Sequence, residues 1–217
     1  SSWTSAMESY LGRLSYNFSS KYFLTATYRI DGSSKFMKNN KWASFPSASV
    51  AWRISKEKFM EGITFVNDLK LRGGWGRIGN QDLPSYVYNS GLGREYYVFG
   101  PGNGSLVNTT YPSSIKNEDI KWETVEDINF GTDFSLLNST LSGSVEYYQK
   151  STKDMLFQLP YPNYSGYPND AQIWSNIGSM ESKGWDIAVN YRNTIQKFNY
   201  NIGVTLMTVG VKVKSLP

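Results

Sequence analysis

In eight separate runs of this chain, apolar and polar side chains alternate one by one. That period of two restricts the fold to β-strands whose two faces meet different surroundings. Residues 10–18 show the pattern first. Tyr10, Leu14, Tyr16 and Phe18 fall on one side, while Arg13, Ser15 and Asn17 fall on the other. Residues 22–31 repeat it, with Tyr22, Leu24, Ala26, Tyr28 and Ile30 opposed to Thr25, Thr27, Arg29 and Asp31. Further runs are expected near 46–54, 69–77, 124–134, 140–150 and 184–192, and again from Phe198. Arg77 falls on the apolar side of its run, so the fourth strand is expected to leave its apolar surroundings there.

The connections differ in kind. Ser19-Ser20-Lys21, Asn138-Ser139 and 193–197 are short. The stretches 32–45, 78–123 and 151–183 are long, the first of them polar and the second rich in Tyr, Asn, Ser, Gly and Pro, and 56–68 is a connector with room for a helical turn. Short turns alternating with long loops are a mark of membrane barrels, and the long loops would be awkward in a compact soluble domain. No run reaches 18 consecutive apolar residues, but a barrel needs none, because only alternate residues face lipid.

Composition narrows the chemistry. The 217 residues include 16 Tyr, 11 Phe, 7 Trp and 19 Gly, but no His and no Cys. That excludes a His general base, a Cys nucleophile, a disulfide and a zinc site built on thiolate or imidazole. The net charge of +4 is spread without a basic run, so no nucleic-acid partner is expected. The first residues lack the features of a signal peptide.

These observations lead to an expected fold that is all-β: an antiparallel transmembrane β-barrel segment of about eight strands. Aromatics near strand ends, such as Tyr10, Phe18, Trp52, Trp75, Trp185 and Phe198, fit the girdles of such a barrel. The polar faces carry Arg13, Arg29, Arg53, Arg72, Asp127, Asp133, Glu146, Asp186 and Arg192, which would face a lumen or lace neighbouring strands together. A soluble β-rich carbohydrate-binding or adhesin-like protein, and an outer-membrane barrel enzyme, stay open as alternatives. The lack of His weighs against the enzyme.

Candidate substrate contacts sit in the two longest loops: Tyr96, Tyr97, Phe99, Tyr111, Tyr161, Tyr164, Tyr167 and Trp174. Aromatic rings stack on the apolar faces of sugars, but they also pack loops into folded caps. Asp31, Gly32, Ser33 and Ser34 form a rim or turn motif at the end of the second strand. Trp75, Gly79, Asn80 and Gln81 close the fourth strand, where glycine permits close approach of bulky neighbours. Asp82, Glu95, Glu118 and Asp119 lack the spacing of a calcium loop, so no cofactor or metal is expected, with calcium in the loops left open.

Several blocks carry a family resemblance. They include Tyr10-Leu11-Gly12-Arg13-Leu14, Arg29-Ile30-Asp31-Gly32-Ser33-Ser34-Lys35-Phe36, Ala51-Trp52-Arg53-Ile54-Ser55 and Trp75-Gly76-Arg77-Ile78-Gly79-Asn80-Gln81. Trp122-Glu123-Thr124, Asn176-Ile177-Gly178-Ser179 and Lys183-Gly184-Trp185 follow in order. Together they resemble the C-terminal barrel region of SusC/RagA-type TonB-dependent outer-membrane transporters. The resemblance implies a share of a barrel of about 22 strands, with residues 1–217 as a partial barrel domain that lacks the plug. It implies import of glycans or oligosaccharides, with peptide import by the same family as an alternative. It also implies a SusD-like surface lipoprotein as partner, contact with outer-membrane lipid, and TonB acting through a region outside this chain. The implied location is the bacterial outer membrane, as a multi-pass β-barrel. Further strands are expected on both sides of the segment.

Overall fold

The computed structural model describes residues 4–100, 104–112, 115–162, 167 and 171–216. The first alternating run becomes β1 (Met7–Phe18), which returns as β2 (Tyr22–Ser33). Ser19 and Ser20 both take positive φ, 53° and 54°. That is the backbone of the primed hairpin turns, whose twist suits the flanking strands. β3 (Trp42–Arg53) and β4 (Val66–Asn80) follow, separated by two single-turn 3-10 helices, Ile54–Lys56 and Lys58–Met60. A hairpin of β5 (Leu92–Phe99) and β6 (Ser105–Pro112) precedes β7 (Glu123–Leu136) and β8 (Leu141–Lys153). A second hairpin, β9 (Leu156–Pro160) with β10 (Gln172–Asn176), precedes β11 (Ser179–Ile195), β12 (Phe198–Met207) and β13 (Gly210–Ser215).

The main sheet has nine strands in the order β1-β2-β3-β4-β7-β8-β11-β12, with β13 pairing the first part of β11. Every pair is antiparallel. The two hairpins form separate two-stranded sheets.

The transmembrane barrel segment expected from the sequence is not what the sheet shows. Closure needs the first and last strands to pair, which alone removes a sheet's edges. Among the described residues β1 pairs with β2 alone, and β12 and β13 pair with β11 alone. The chain is therefore an open antiparallel sheet and not a closed-barrel fragment. The expectations that rested on closure fall with it: the transmembrane β-strand description and the multi-pass β-barrel location. The all-β, antiparallel part of the reading stands. No helix among the described residues is long and apolar enough to cross a membrane.

The sheet also differs in detail from the eight strands expected. β4 runs past Arg77 to Asn80, because the backbone ladder with β7 continues to Glu123 although the side-chain pattern has broken. Arg77 is held on that face by Glu126, 2.5 Å away, and Lys153 reaches the same carboxylate at 2.7 Å. The 78–123 and 151–183 stretches are not structureless but carry the two hairpins. Their strands mix polar and apolar residues on each face, so period two is weak there.

Register fixes the two faces of the sheet. One row reads Tyr22, Trp52, Leu71, Thr132, Val145, Ile187 and Leu206 across seven strands. This apolar face is uncovered: Leu14 is 65% exposed and Phe130 61%. The neighbouring row, on the opposite face, reads Phe23, Ala51, Arg72, Gly131, Glu146, Asp186 and Met207. A single layer of sheet cannot bury a core of its own. The buried cluster of Phe36, Phe45, Leu83, Ile120 and Trp122 lies instead under the long connections at one end of the sheet.

Candidate substrate-contact site

The polar face is laced by ions. Lys70 Nζ lies 2.9 Å from Asp133 Oδ2, and Arg72 Nε lies 3.2 Å from Asp133 Oδ1. Arg72 Nη1 also reaches Glu146 Oε2 at 2.5 Å. Arg72 and Glu146 belong to β4 and β8, with β7 between them. Gly131 of β7 stands in register with both, and a Cβ there would sit 3.2 Å from the guanidinium. Glycine thus opens the path for Arg72 to cross a strand.

At the other end of the short connections, Glu57 gathers three donors. Tyr22 Oη donates at 2.7 Å, Lys21 Nζ at 3.0 Å and the Trp52 indole at 3.2 Å. These hydrogen bonds, Tyr22 first, hold the Glu57 carboxyl below its usual range and raise the Tyr22 hydroxyl above its own. They fasten the 3-10 connector to the edge of β2 and β3. The alternation of the strands gives no signal for this hub, because Glu57 lies outside any periodic run.

The long-connection end is built on the Asp31 motif. Asp31 is the antepenultimate residue of β2, 1% exposed, and its Oδ2 lies 2.9 Å from Arg29 Nε. The Arg29 guanidinium in turn sits over the Phe45 ring, 5.6 Å from its centroid. Gly32 packs against Trp42, where a Cβ would come within 2.7 Å of the indole. Ser33 is 1% exposed, and its Oγ accepts from Lys35 N at 3.2 Å. Ser34 exchanges hydrogen bonds with Ala6 and accepts from Tyr88 Oη at 3.2 Å. The motif ties three segments together beneath the buried cluster.

The second motif lies beside it. Trp75 is on the apolar face, paired with Ala48 and Ile128. Gly79 sits under the Phe45 ring, and a Cβ there would be 2.1 Å from Cζ. Asn80 Nδ2 donates to Glu123 Oε1 at 3.2 Å, and the Gln81 carbonyl accepts from Lys35 Nζ at 3.3 Å.

The loop aromatics separate into two groups. Tyr96, Tyr97 and Phe99 project from β5, 68%, 64% and 55% exposed. Tyr97 and Phe99 share a face, with ring centroids 5.3 Å apart, and Tyr111 on β6 lies on that same face, over Gly93. The other group lies near β9 and β10. Tyr161 and Tyr167 meet edge to face at 5.5 Å, and Trp174 on β10 packs against the buried cluster. Tyr164 lies outside the described residues. The structure does not bring the two groups into one site by any described contact.

A cleft of about 400 Å³ opens beside Trp174. One wall is the 84–91 segment, with Tyr86 and Asn89. The other is the face of the β9–β10 ribbon that carries Gln158, Gln172 and Trp174. Asn117 braces both walls: its backbone N–H donates to the Val87 carbonyl at 3.2 Å and its Nδ2 to the Trp174 carbonyl at 2.8 Å. Tyr86, Gln158 and Gln172 carry no sequence motif that would have singled them out. Among the described residues no group of three or more Asp or Glu side chains is placed to hold a metal; Glu118 pairs with Lys116 at 2.6 Å.

An open, ion-laced antiparallel sheet with long folded connections at one end defines a class of β-domain. The family model for "TonB dependent receptor-like, beta-barrel" matches residues 3–214, and the chain belongs to that family. Its curated relatives are TonB-dependent receptors, SusC among them. The TonB-dependent receptor P3 of Formosa agariphila is 36% identical over 210 residues, covering 96% of this chain and 20% of that protein. The TonB-dependent receptor SusC of Bacteroides thetaiotaomicron is 36% identical over 206 residues, covering 89% and 20%. A solved structure of the RagAB peptide transporter superposes with a TM-score of 0.84 at 27% identity, covering 98% of this chain and 23% of that one. The chain thus spans about a fifth of the length of the curated relatives it matches. The family is one of transporters and not of catalysts.

Proposed function

We propose that this chain is part of a TonB-dependent importer of peptides. The observation that supports it is the likeness to the RagAB peptide transporter, which extends over 98% of the chain. In this reading the loop aromatics Tyr96, Tyr97, Phe99, Tyr111, Tyr161, Tyr164, Tyr167 and Trp174 contact substrate. The Asp31-Gly32-Ser33-Ser34 and Trp75, Gly79, Asn80, Gln81 motifs are structural supports beneath them. A SusD-like lipoprotein is the partner at the loop end, and TonB supplies energy through a part of the protein beyond this segment.

A glycan importer is the second reading, favoured by the exposed rings of Tyr96 and Tyr97 and by the identity to SusC. Uptake by cells carrying the full-length protein and its lipoprotein partner separates the two. Labelled peptides accumulate in a TonB-dependent manner if the first reading holds. Accumulation of labelled oligosaccharide without peptide uptake overturns it.

A further inference from the structure

We propose that the cleft beside Trp174 binds the main chain of an extended, uncharged stretch of peptide. The proposal rests on the peptide reading above and assigns it a place and a recognition chemistry. The cleft's volume of about 400 Å³ is in the small-ligand range. Among the described residues none of its lining side chains is charged. Those lining residues therefore offer no counter-ion for a peptide terminus or for an ionic side chain, and burying either against them without a partner would be costly.

What it does offer is paired amides. Gln158 stands opposite Trp174 in the β9–β10 register, and Gln172 is two residues before Trp174 on the same strand. All three side chains share one face. Both glutamines are exposed, and among the described residues neither side-chain amide has a hydrogen-bond partner. A glutamine amide both donates and accepts, as does each peptide group. The two therefore pair N–H to C=O in both directions.

The spacing agrees with that use. Gln158 and Gln172 are diagonal neighbours across an antiparallel pair, roughly 7–8 Å apart. Same-side groups on an extended peptide recur every two residues, roughly 7 Å. Trp174 lies against Gln158 and gives an apolar floor for a proline or aromatic side chain of the ligand. The floor is held in place, since Trp174 packs on the buried cluster and Asn117 fixes its carbonyl.

The test uses the full-length protein purified in detergent and a blocked peptide, acetyl-Ala-Pro-Tyr-Ala-amide, titrated by calorimetry. The expected result is binding by the native protein, with affinity about tenfold lower in the Gln158→Leu/Gln172→Leu double variant, the effect of two lost hydrogen bonds. Hydrogen exchange gives a readout without substitution: the peptide is expected to slow exchange at 84–91 and 172–176. Equal affinity of the double variant, or no protection in those segments, overturns this inference while peptide import stands. Binding only of peptides with free termini also overturns it. If no peptide binds and an oligosaccharide does, both this inference and the peptide reading fall.

Discussion

Arg72 on β4 reaches Glu146 on β8 across an intervening strand, with 2.5 Å between Nη1 and Oε2. The crossing depends on Gly131. Glu146 also faces Asp186 directly in register, so without Arg72 two carboxylates would stand side by side. Arg72 and Glu146 side chains are 33% and 24% exposed, which places the pair between surface and buried cases. A double-mutant cycle with Arg72→Met and Glu146→Gln should give a coupling of about 1 kcal/mol in unfolding of the full-length protein. Additive effects of the two substitutions would contradict the account. Gly131→Val should remove the same coupling without touching either charge.

Gly79 is the tightest point below the loop cap. An added Cβ would lie 2.1 Å from Phe45 Cζ. Gly79→Ala should therefore destabilise by about 1–3 kcal/mol, the usual cost of overpacking. The Phe45→Leu change on that background should restore part of the loss. A rescue absent in thermal unfolding would show that the clash is not the cause.

The Glu57 hub predicts an acid-dependent contribution. Its carboxyl is held below the usual glutamate range by Tyr22, Lys21 and Trp52. The folded state therefore binds the proton less readily than the unfolded state. The stabilisation is present above the unfolded value, about 4.3, and is lost as pH falls through the lower folded value. Native protein and Glu57→Gln should differ in unfolding midpoint at neutral pH and converge well below pH 4. A difference that persists or grows in acid would refute this.

The β1–β2 turn can be improved. Ser19 and Ser20 occupy left-handed backbone that asparagine and glycine adopt more readily. The double change Ser19→Asn/Ser20→Gly should raise stability by about 0.5–1 kcal/mol. The hydrogen bond from Ser20 N to Asn17 Oδ1 at 3.1 Å uses only backbone of residue 20 and survives the change. A lowered midpoint would contradict the turn assignment.

These tests also mark what the sequence makes legible. Rows such as Tyr22, Trp52 and Leu71 were readable because one period-two pattern fixes both strand and face. Arg77 hid the end of β4, since its charge breaks the pattern while Glu126 and Lys153 neutralise it across strands. The hairpins β5–β6 and β9–β10 were hidden because neither has a consistently polar face. The reading as a transmembrane barrel segment fails for a different reason. Alternation specifies which face a residue takes, but not whether β1 finds a partner for its second edge. Trp174 was readable as a loop aromatic, whereas Gln158 and Gln172 became visible only once strand register set them beside it.

The central claim is that the chain serves peptide import. Full-length protein isolated from its source cells together with the proposed lipoprotein partner should carry co-purifying ligand that mass spectrometry identifies as a mixture of short peptides. Recovery of oligosaccharide, with no peptide above the level in a mock purification, would contradict the account.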